Sequence, residues 1–302
     1  MIHFNSSKIL IPVDFSETSM LAIKHGAFIA RFTKADIYLL HVINVHYMSQ
    51  NMFVPLVKFT ANNDIELKAS ERLAQLAQEI KTEHNIHTEC IIKTGNPSAE
   101  VVNVAKEMGA SLIVMGTHGY SPLEELVIGS VALKVLTKAS CPTMVMSGEA
   151  TKKGYYKVLL PIDTSAHTRQ KVNYTLEMAK KFSATVHAVA VLGAGEDDEK
   201  PAIELILHQI EKLAKEKDVM FHSDVISNVK NRAAATVNYS EKLGADLIVI
   251  MTDQDAEISG FFLGPYAQQV IHLSKIPVIA IKPEEHPQDM NFSLLLGGTS
   301  GL

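Results

Sequence analysis

Hydrophobic and polar residues form blocks along the chain whose lengths predict alternating strands and helices. Short aliphatic runs, such as residues 112–115, are apolar at every position, which is typical of strands buried on both faces of a parallel sheet. Longer segments with helical periodicity, such as residues 98–108, lie between these runs. Strands joined by helices of this length form right-handed crossovers, so the pattern predicts doubly wound parallel sheets of the α/β class.

The same order of elements is predicted twice. In the first half we predict strands at 8–13, 36–42, 87–93, 111–115 and 143–146, and helices at 19–32, 64–83, 98–108 and 130–137. In the second half we predict strands at 157–161, 185–191, 219–226, 246–251 and 278–281, and helices at 168–182, 202–217, 233–243 and 266–273.

An internal repeat supports this division. The segment KILIPVD at 8–14 recurs as KVLLPID at 157–163, and GASLIVM at 109–115 recurs as GADLIVI at 244–250. We therefore expect two domains, at 1–147 and 156–283, joined by a linker around 147–155. The remaining residues, 284–302, form a C-terminal tail that is either frayed or docked on a surface groove through Phe292 and residues 294–296.

Composition narrows the function classes. The 302 residues are 47% hydrophobic and 20% charged with a net charge of -5, and no basic block is present, so we expect no nucleic-acid partner. The N-terminus lacks a signal-peptide pattern and no apolar run reaches the ~18 residues that span a bilayer, so we expect no membrane partner and a cytoplasmic protein. Cys90 and Cys141 have no metal-type spacing and are expected to be buried reduced thiols.

The most informative segment follows the predicted strand at 111–115. Gly116, Gly119, Gly129 and Ser130 have the spacing G-x2-G-x9-G-S, and the last two open a predicted helix. Glycines at a strand end let a phosphate approach backbone N–H groups, and a helix N-terminus favours an anion. The alternative is that the glycines only shape a turn and that Ser130 only caps a helix.

Asp14 lies at the carboxyl end of the first predicted strand. Beside a phosphate its carboxylate would repel the anion, so we expect it to face a base or a sugar, where it can accept hydrogen bonds. Its alternative role is to cap the helix that follows.

Several segments of the first half together resemble the universal stress protein family. In order along the chain they are IPVDFS at 11–16, LLHV at 39–42, GNP at 95–97, LIVMGTHG at 112–119, GS at 129–130 and CP at 141–142. The glycine pattern is similar to the signature of the family's ATP-binding branch. The resemblance implies tandem Rossmann-like domains of the adenine nucleotide alpha hydrolase-like type and a stress-response regulatory role.

The resemblance also implies an ATP pocket in the first domain. Asp14 and Val42 would hold the adenine, the ribose would lie near Gly116, and the remaining residues would surround these groups and the phosphates. The implied pocket comprises Pro12, Val13, Asp14, Val42, Met115, Gly116, His118, Gly119, Gly129, Ser130 and Val131. Phosphates recruit magnesium whether or not a protein supplies ligands, so a Mg²⁺ ion bound only through them is compatible with this pocket.

The second copy departs from the signature. In a gap-free alignment Met251 stands at the place of Gly116, Gln254 at that of Gly119 and Pro265 at that of Ser130. We expect the side chains of Met251 and Gln254 to intrude on the phosphate path, and Pro265 removes a hydroxyl and an N–H donor. The second domain therefore has a degenerate motif, and we expect no ordinary ATP binding there.

No nucleophile–base pair, zinc-protease motif or Walker motif is present, so we expect no catalytic residue. A nucleotide-binding regulator whose ATP changes the loop at 119–128 or the domain pairing is favoured over a scaffold without nucleotide and over a slow ATPase. The resemblance also implies that the apolar strands Thr143–Met146 and Val278–Ile281 pair and so form an intramolecular pseudo-dimer. Whether two chains also form a homodimer is left open.

Overall fold

The computed structural model describes residues 3–4, 7–44, 58–117, 128–150, 154–165, 167–252 and 263–283, with only the backbone described at 58–63. Within these ranges strands and helices alternate around a mostly parallel sheet. The predicted α/β class is therefore confirmed.

The first half contains five strands and four helices among its described residues. The strands are β1 (Lys8–Pro12), β2 (Asp36–Asn44), β3 (Thr88–Gly95), β4 (Leu112–Gly116) and β5 (Thr143–Met146). The helices are α1 (Glu17–Thr33), α2 (Lys58–His84), α3 (Pro97–Met108) and α4 (Ser130–Lys138).

The described part of the second half repeats this order. Its strands are β6 (Lys157–Ile162), β7 (Thr185–Gly193), β8 (Phe221–Val229), β9 (Leu247–Met251) and β10 (Val278–Ile281). Its helices are α5 (Thr168–Phe182), α6 (Lys200–Glu216), α7 (Arg232–Leu243) and α8 (Pro265–Leu273), with a 3₁₀ turn at Asp197–Glu199 before α6.

Every predicted strand and helix is present, and the differences lie at the ends. Helix α1 begins earlier than predicted because the Ser16 hydroxyl caps it by accepting a bond from the Ser19 N–H. It ends where Lys34 takes a left-handed conformation with φ 59°. Such ends depend on single side chains, so a hydrophobic pattern places them less well than it places the element itself.

The strands of the described residues form one continuous sheet of ten, which runs through both halves in the order β3-β2-β1-β4-β5-β10-β9-β6-β7-β8. All pairs within a half are parallel, while β5 and β10 pair antiparallel with Met144 opposite Ile279. The expected pairing of the two closing strands is therefore confirmed. It covers the strand edge that each half would otherwise expose.

The leading segments of the two halves cross over each other. Phe4, which precedes β1, packs its ring edge-on against Tyr174 and Phe182 of α5, with centroids 5.2 Å and 5.9 Å away. Tyr155, which precedes β6, packs against Phe28 of α1, and its hydroxyl bonds to Nδ1 of His25 at 2.6 Å. Each half thus contributes an aromatic side chain to the first helix of the other.

The segment expected to be a simple linker, around 147–155, also takes part in this packing. Tyr155 is 1% exposed and Ala150 is equally buried, although both lie in the segment expected to be a simple connection. Ala150 also accepts a hydrogen bond from Nε2 of His25 at 2.8 Å. The described ends of the linker therefore belong to the packed interface.

The expectation for the two cysteines was wrong for Cys90, which is exposed. It lies on β3, an end strand of the sheet, where Glu89, Lys93 and Thr94 are exposed as well. Cys141 is partly buried, and burial raises the pKa of its thiol to about 12. Across the residues described, no helix has both the length and the hydrophobicity to cross a bilayer.

Candidate functional site

The sequence-predicted site residues that the structure describes gather at the carboxyl edge of the first half-sheet. Parallel strands β1, β2 and β4 all end at this edge, and helices α1, α3 and α4 begin there. In an open α/β sheet, ligands bind outside the carboxyl ends of the strands. His118 and Gly119 fall outside the described residues, so the remaining nine of the eleven predicted residues can be placed.

Asp14 follows β1 and is exposed. Its Oδ1 accepts hydrogen bonds from the N–H and the hydroxyl of Ser16, at 3.0 Å and 2.5 Å. The cap of α1 is Ser16 itself, so the alternative role of Asp14 as the helix cap is wrong. Asp14 instead holds the capping residue in place with one carboxylate oxygen.

The end of β1 is tied to β2. The N–H of Val13 donates to the carbonyl of Leu40 at 2.8 Å, and Nδ1 of His41 donates to the carbonyl of Val13 at 2.7 Å. Phe15 then turns the chain with φ 67°, a conformation that costs a non-glycine residue about 1 kcal/mol or more. Its ring lies 4.8 Å from that of His41, a contact that helps to hold the strained turn.

The end of β4 is joined to the start of α4 by backbone bonds. The Thr117 N–H donates to the carbonyl of Met146 on β5, and the Gly129 N–H donates to the carbonyl of Thr117, both at 2.9 Å. These bonds therefore bring Gly116, at the end of β4, close to Ser130, at the start of α4. Met115, by contrast, is buried in the core beneath this edge.

Within the described part of the chain, no side chain caps the N-terminus of α4. Gly129 is the capping residue, and Ser130 is the first helical residue and is exposed. Two other helices that start at this edge are capped, α1 by Ser16 and α3 by Asn96. As far as the described residues show, the first-turn N–H groups of α4 thus lack the bond that α1 and α3 receive, and an anion can take that place.

The second half reproduces this backbone arrangement. The Gly264 N–H donates to the carbonyl of Thr252, whose own N–H donates to Ile281, both at 2.9 Å. Asp163 Oδ1 accepts from the N–H and hydroxyl of Ser165 at 2.9 Å and 2.5 Å. The first residue of α8, however, is Pro265, which has no N–H and no hydroxyl.

The expectation that Met251 intrudes on the phosphate path was wrong. Its side chain is fully buried among core residues, on the face of the sheet that also holds Val249 and Ile281. Because side chains alternate between the two faces of a strand, the side chain of Met251 points into the core on that face and not toward the carboxyl edge. Gln254, the other residue expected to intrude, lies outside the described residues.

A cavity of about 520 Å³ opens at the carboxyl edge of the second half-sheet. Its lining combines the ends of β6, β7 and β8 with the starts of α7 and α8. The lining residues are Pro161, Ile162, Asp163, Thr164, Ser165, Val189, Val191, Glu199, Lys230, Asn231, Arg232, Ala233, Tyr266 and Gln269.

Lys171 is a residue that sequence reasoning missed. It is fully buried in α5, and no described residue forms a hydrogen bond with its Nζ. Burial lowers the pKa of Lys171, while the negative charge of Asp163 opposes that shift. The repeat contained a signal, because a gap-free alignment places Lys171 opposite Ala22.

Asp163 is held in its charged form by this neighbour. Burial alone raises the pKa of its carboxyl, but the charge of Lys171 and hydrogen bonds with Ser165 and Thr168 bring the pKa below its ordinary value. The described residues contain no group of three or more His, Cys, Asp or Glu side chains arranged to hold a metal ion.

Comparisons with known proteins agree with this architecture. The family model described as the universal stress protein family matches residues 5–147 and again 154–282. A universal stress protein from Methanocaldococcus jannaschii is 33% identical over 151 residues, which is 46% of this chain and 93% of that protein. One from Mycolicibacterium smegmatis is 22% identical over 288 residues, covering 91% of this chain and 97% of that protein.

The fold as a whole is also found among solved structures. The crystal structure of a universal stress protein from Archaeoglobus fulgidus matches with a TM-score of 0.74 at 22% identity, covering 94% of this chain and 99% of that one. A second match, from Pseudomonas aeruginosa, has a TM-score of 0.66 at 18% identity, with 91% and 93% covered. At these identities the likeness concerns the fold, including the tandem arrangement.

Proposed function

Because the chain belongs to the universal stress protein family, with family matches in both halves, we propose that its first half binds ATP at the carboxyl ends of β1, β2 and β4. The functional units in this proposal are 1–147 and 156–283. The first is the nucleotide-binding unit, and the second does not bind ATP in the same way.

The adenine and ribose are assigned to the β1 and β2 side of the site. Asp14 is exposed and its Oδ1 is occupied by Ser16, so its second oxygen is the acceptor offered to a base or sugar. Val42 is half-buried at the end of β2 and offers an apolar wall and its backbone. Pro12, Val13 and Met115 form the floor.

The phosphates are assigned to the β4 and α4 side. Gly129 precedes α4, and Ser130 and Val131 are its first two residues. We place Gly119 and His118 around the same phosphates on sequence grounds alone. The observation that carries the proposal is the uncapped N-terminus of α4, held beside Gly116 by the 2.9 Å bond between the Gly129 N–H and the Thr117 carbonyl. A bound Mg²⁺ ion would be held through the phosphates.

The proposed role is regulation. Thr117 receives the start of α4 through its carbonyl and donates its N–H to Met146 of β5, and β5 forms the joint between the halves through its pairing with β10. The phosphate side of the site is therefore two hydrogen bonds away from the joint. Nucleotide binding can act on the pairing of the halves by this short route.

The test substitutes Ser130→Pro, which copies into α4 the start of α8. Gly129 has φ -57° and ψ 146°, and Gly264 before Pro265 has φ -58° and ψ 151°, so a proline fits without a change of backbone. Protein purified without added nucleotide is denatured, and the released nucleotide is quantified by chromatography. ATP affinity is then measured by calorimetry.

We expect about one equivalent of ATP per wild-type chain, and an affinity at least about tenfold weaker in Ser130→Pro because a charge-assisted bond is lost. Ser130→Ala keeps the N–H and should lose less. Absence of ATP binding in the wild type would favour a scaffold that needs no nucleotide. Two equivalents of ATP would contradict the assignment of the second half.

A further inference from the structure

Two histidines lie side by side near the amino ends of strands β7 and β8. His187 and His222 are direct partners in the parallel register, so their side chains lie on the same face of the sheet. Their ring centroids are 5.0 Å apart, and the ring planes are inclined by 34°. His222 is exposed and His187 is half-buried, so solvent and dissolved ions reach the pair.

The separation of the two rings suits shared coordination of one metal ion. A metal–nitrogen bond of about 2.0–2.1 Å places the centre of an imidazole ring about 3.2 Å from the ion. Two rings that subtend about 90–110° at one ion then have centroids roughly 4.5–5.2 Å apart. The observed 5.0 Å falls in this range. Rotation about χ2, a broad torsion in histidine, turns the ring nitrogens while leaving the centroids almost in place.

The ring nitrogens of this pair are not engaged elsewhere. No described residue forms a hydrogen bond or an ion pair with His187 or His222. Both ring nitrogens of His25, by contrast, are bonded, and Nδ1 of His41 is bonded to a carbonyl. Burial, together with the charges of His222 and Lys157, lowers the pKa of His187. Its ring is therefore neutral at pH 7, which is the form that binds metal ions.

The charges next to the pair oppose each other. Asp224 lies two positions after His222, on the same face of β8, and its charge acts to raise the pKa of His187. Its carboxylate is bonded to the hydroxyl of Tyr239, so it is a nearby negative charge and not a metal ligand. The ammonium of Lys157 opposes a cation, and it is bonded to the last carbonyl of α7 at 3.1 Å. The affinity for an ion therefore depends on the two imidazoles.

The fold does not require histidine at these two positions. Leu10 of the first half and Leu159 of the second correspond in the repeat, and they pair with Tyr38 and His187 respectively. The partner of Tyr38 on the next strand is Glu89, whereas the partner of His187 is His222. The first half thus has a tyrosine and a glutamate at the places where the second half has the two histidines.

We propose that His187 and His222 bind a divalent transition-metal ion such as Zn²⁺ or Ni²⁺. Imidazole suits these ions, whereas Mg²⁺ prefers oxygen ligands. Among the described residues no third His, Cys, Asp or Glu is placed to share the ion, so water completes its coordination. The proposal is independent of nucleotide binding, because the ATP site proposed above lies at the carboxyl ends of strands in the other half.

The experiment is calorimetry on the full chain at about pH 7.5, in which Zn²⁺, Ni²⁺ and Mg²⁺ are titrated separately without nucleotide. We expect Zn²⁺ and Ni²⁺ to bind and Mg²⁺ not to bind at this pair. His187→Gln and His222→Gln should each weaken Zn²⁺ and Ni²⁺ binding at least about tenfold, because one imidazole then holds the ion alone. The double variant should lose at most about twofold more than either single variant, since the two rings hold the same ion.

His208→Gln is the matched control, because His208 is an exposed histidine of α6 with a glutamate three residues later. Its binding of Zn²⁺ and Ni²⁺ at the pair should equal that of the wild type. Circular dichroism checks that each variant is folded. Because His222 is exposed, His222→Gln tests the proposal even if His187→Gln disturbs the packing.

Other outcomes overturn the proposal. Absence of Zn²⁺ and Ni²⁺ binding in the wild type would remove the site, and binding that is unchanged in His222→Gln would place the ion elsewhere. Losses that add up in the double variant would mean two separate ions. A loss in His208→Gln equal to that in His222→Gln would mean nonspecific binding to surface histidines.

Discussion

The two strand-end sites of this protein share a backbone and differ in side chains. The bond that brings the last helix of each half to its strand is 2.9 Å in both, and the Asp–Ser pair after the first strand is alike within 0.1 Å, at 3.0 Å and 2.9 Å. Yet Ser130 begins one helix and Pro265 the other, and Lys171 lies buried where Ala22 packs in the first half.

This comparison separates what the fold supplies from what the side chains decide. The fold supplies an edge where three strands end and helices begin. Single residues at helix starts decide where an anion can be held. In the second half, the buried Lys171 makes the folding stability depend on Asp163. The substitutions below test these differences, starting with the largest effect.

The largest effect is expected at the crossed aromatic residues. Tyr155→Ala should lower the free energy of unfolding by about 4 kcal/mol, because a fully buried ring and its bond to His25 are lost. Phe4→Ala should cost about 3 kcal/mol, since Phe4 is somewhat less buried. Urea unfolding followed by circular dichroism measures both.

The neighbour Tyr156 is a matched control for Tyr155. It is 65% exposed, so Tyr156→Ala should change the free energy of unfolding by less than about 0.5 kcal/mol. If Tyr155→Ala were as mild as this control, the crossed packing would not stabilise the pair of halves.

The second effect contrasts the two aspartates. Asp163→Asn should lower the free energy of unfolding by about 3 kcal/mol, because it leaves the buried Lys171 ammonium without its counter-charge. Asp14→Asn should have an effect below about 0.5 kcal/mol, since Ala22 stands where Lys171 would be and Asn can still accept from Ser16.

A double variant checks the cause. Replacing Lys171 with Met together with Asp163→Asn removes the uncompensated charge, so most of the lost stability should return. Thermal unfolding of the wild type, Asp163→Asn, Asp14→Asn and the double variant measures these losses. Equal losses in the single and double variants would show that Lys171 is not the reason.

The third effect depends on pH. Burial lowers the pKa of His25 from 6.5, so the folded state keeps this ring neutral while the unfolded state takes up a proton below that value. The contribution of His25 to stability is complete above about pH 6.5 and is lost as the pH falls from there toward the folded-state pKa, by at most about 1.4 kcal/mol per pH unit.

Comparison with His25→Gln isolates this contribution. The difference in free energy of unfolding between wild type and variant, measured by urea unfolding from about pH 7.5 to about pH 5, should shrink toward acid pH. Tyr174 occupies the corresponding position in the second half. A difference independent of pH would contradict the neutral buried ring.

The smallest effect is a gain. Pro265→Ser restores a hydroxyl and an N–H at the start of α8, so ATP affinity of the second half should rise about threefold, the scale of one surface interaction with a helix terminus. The gain is small because Tyr266 stays in the cavity wall. Calorimetry in the Ser130→Pro background measures it, and a gain of about tenfold or more would mean that Pro265 alone excludes ATP.

The order of elements could be predicted from the sequence because it depends on local patterns. Apolar runs such as the one in β9 and the helical periodicity of α5 identify strand and helix without knowledge of their partners. The pairing of β5 with β10 was implied by the resemblance to the family, together with the apolar character of these closing strands. Helix ends depended on caps such as Ser16, and they were placed less accurately.

The sequence did not reveal the face of the sheet to which a side chain points, or contacts between residues that are far apart along the chain. Met251 was placed correctly in the alignment, but every residue of β9 is buried, so the pattern does not tell on which face a side chain lies. Phe4 and Tyr155 meet partners 130 or more residues away in sequence, which no local pattern reveals. The ligand contacts assigned to the site residues remain predictions, and His118 and Gly119 lie outside the described residues.

The antiparallel joint between β5 and β10 has a consequence for how this protein can evolve. In a symmetric assembly of two identical chains, every substitution appears in both subunits, so the two pockets must change together. Here the joint lies within one polypeptide, and a codon change reaches one pocket only. The chain can therefore keep one pocket while the other diverges.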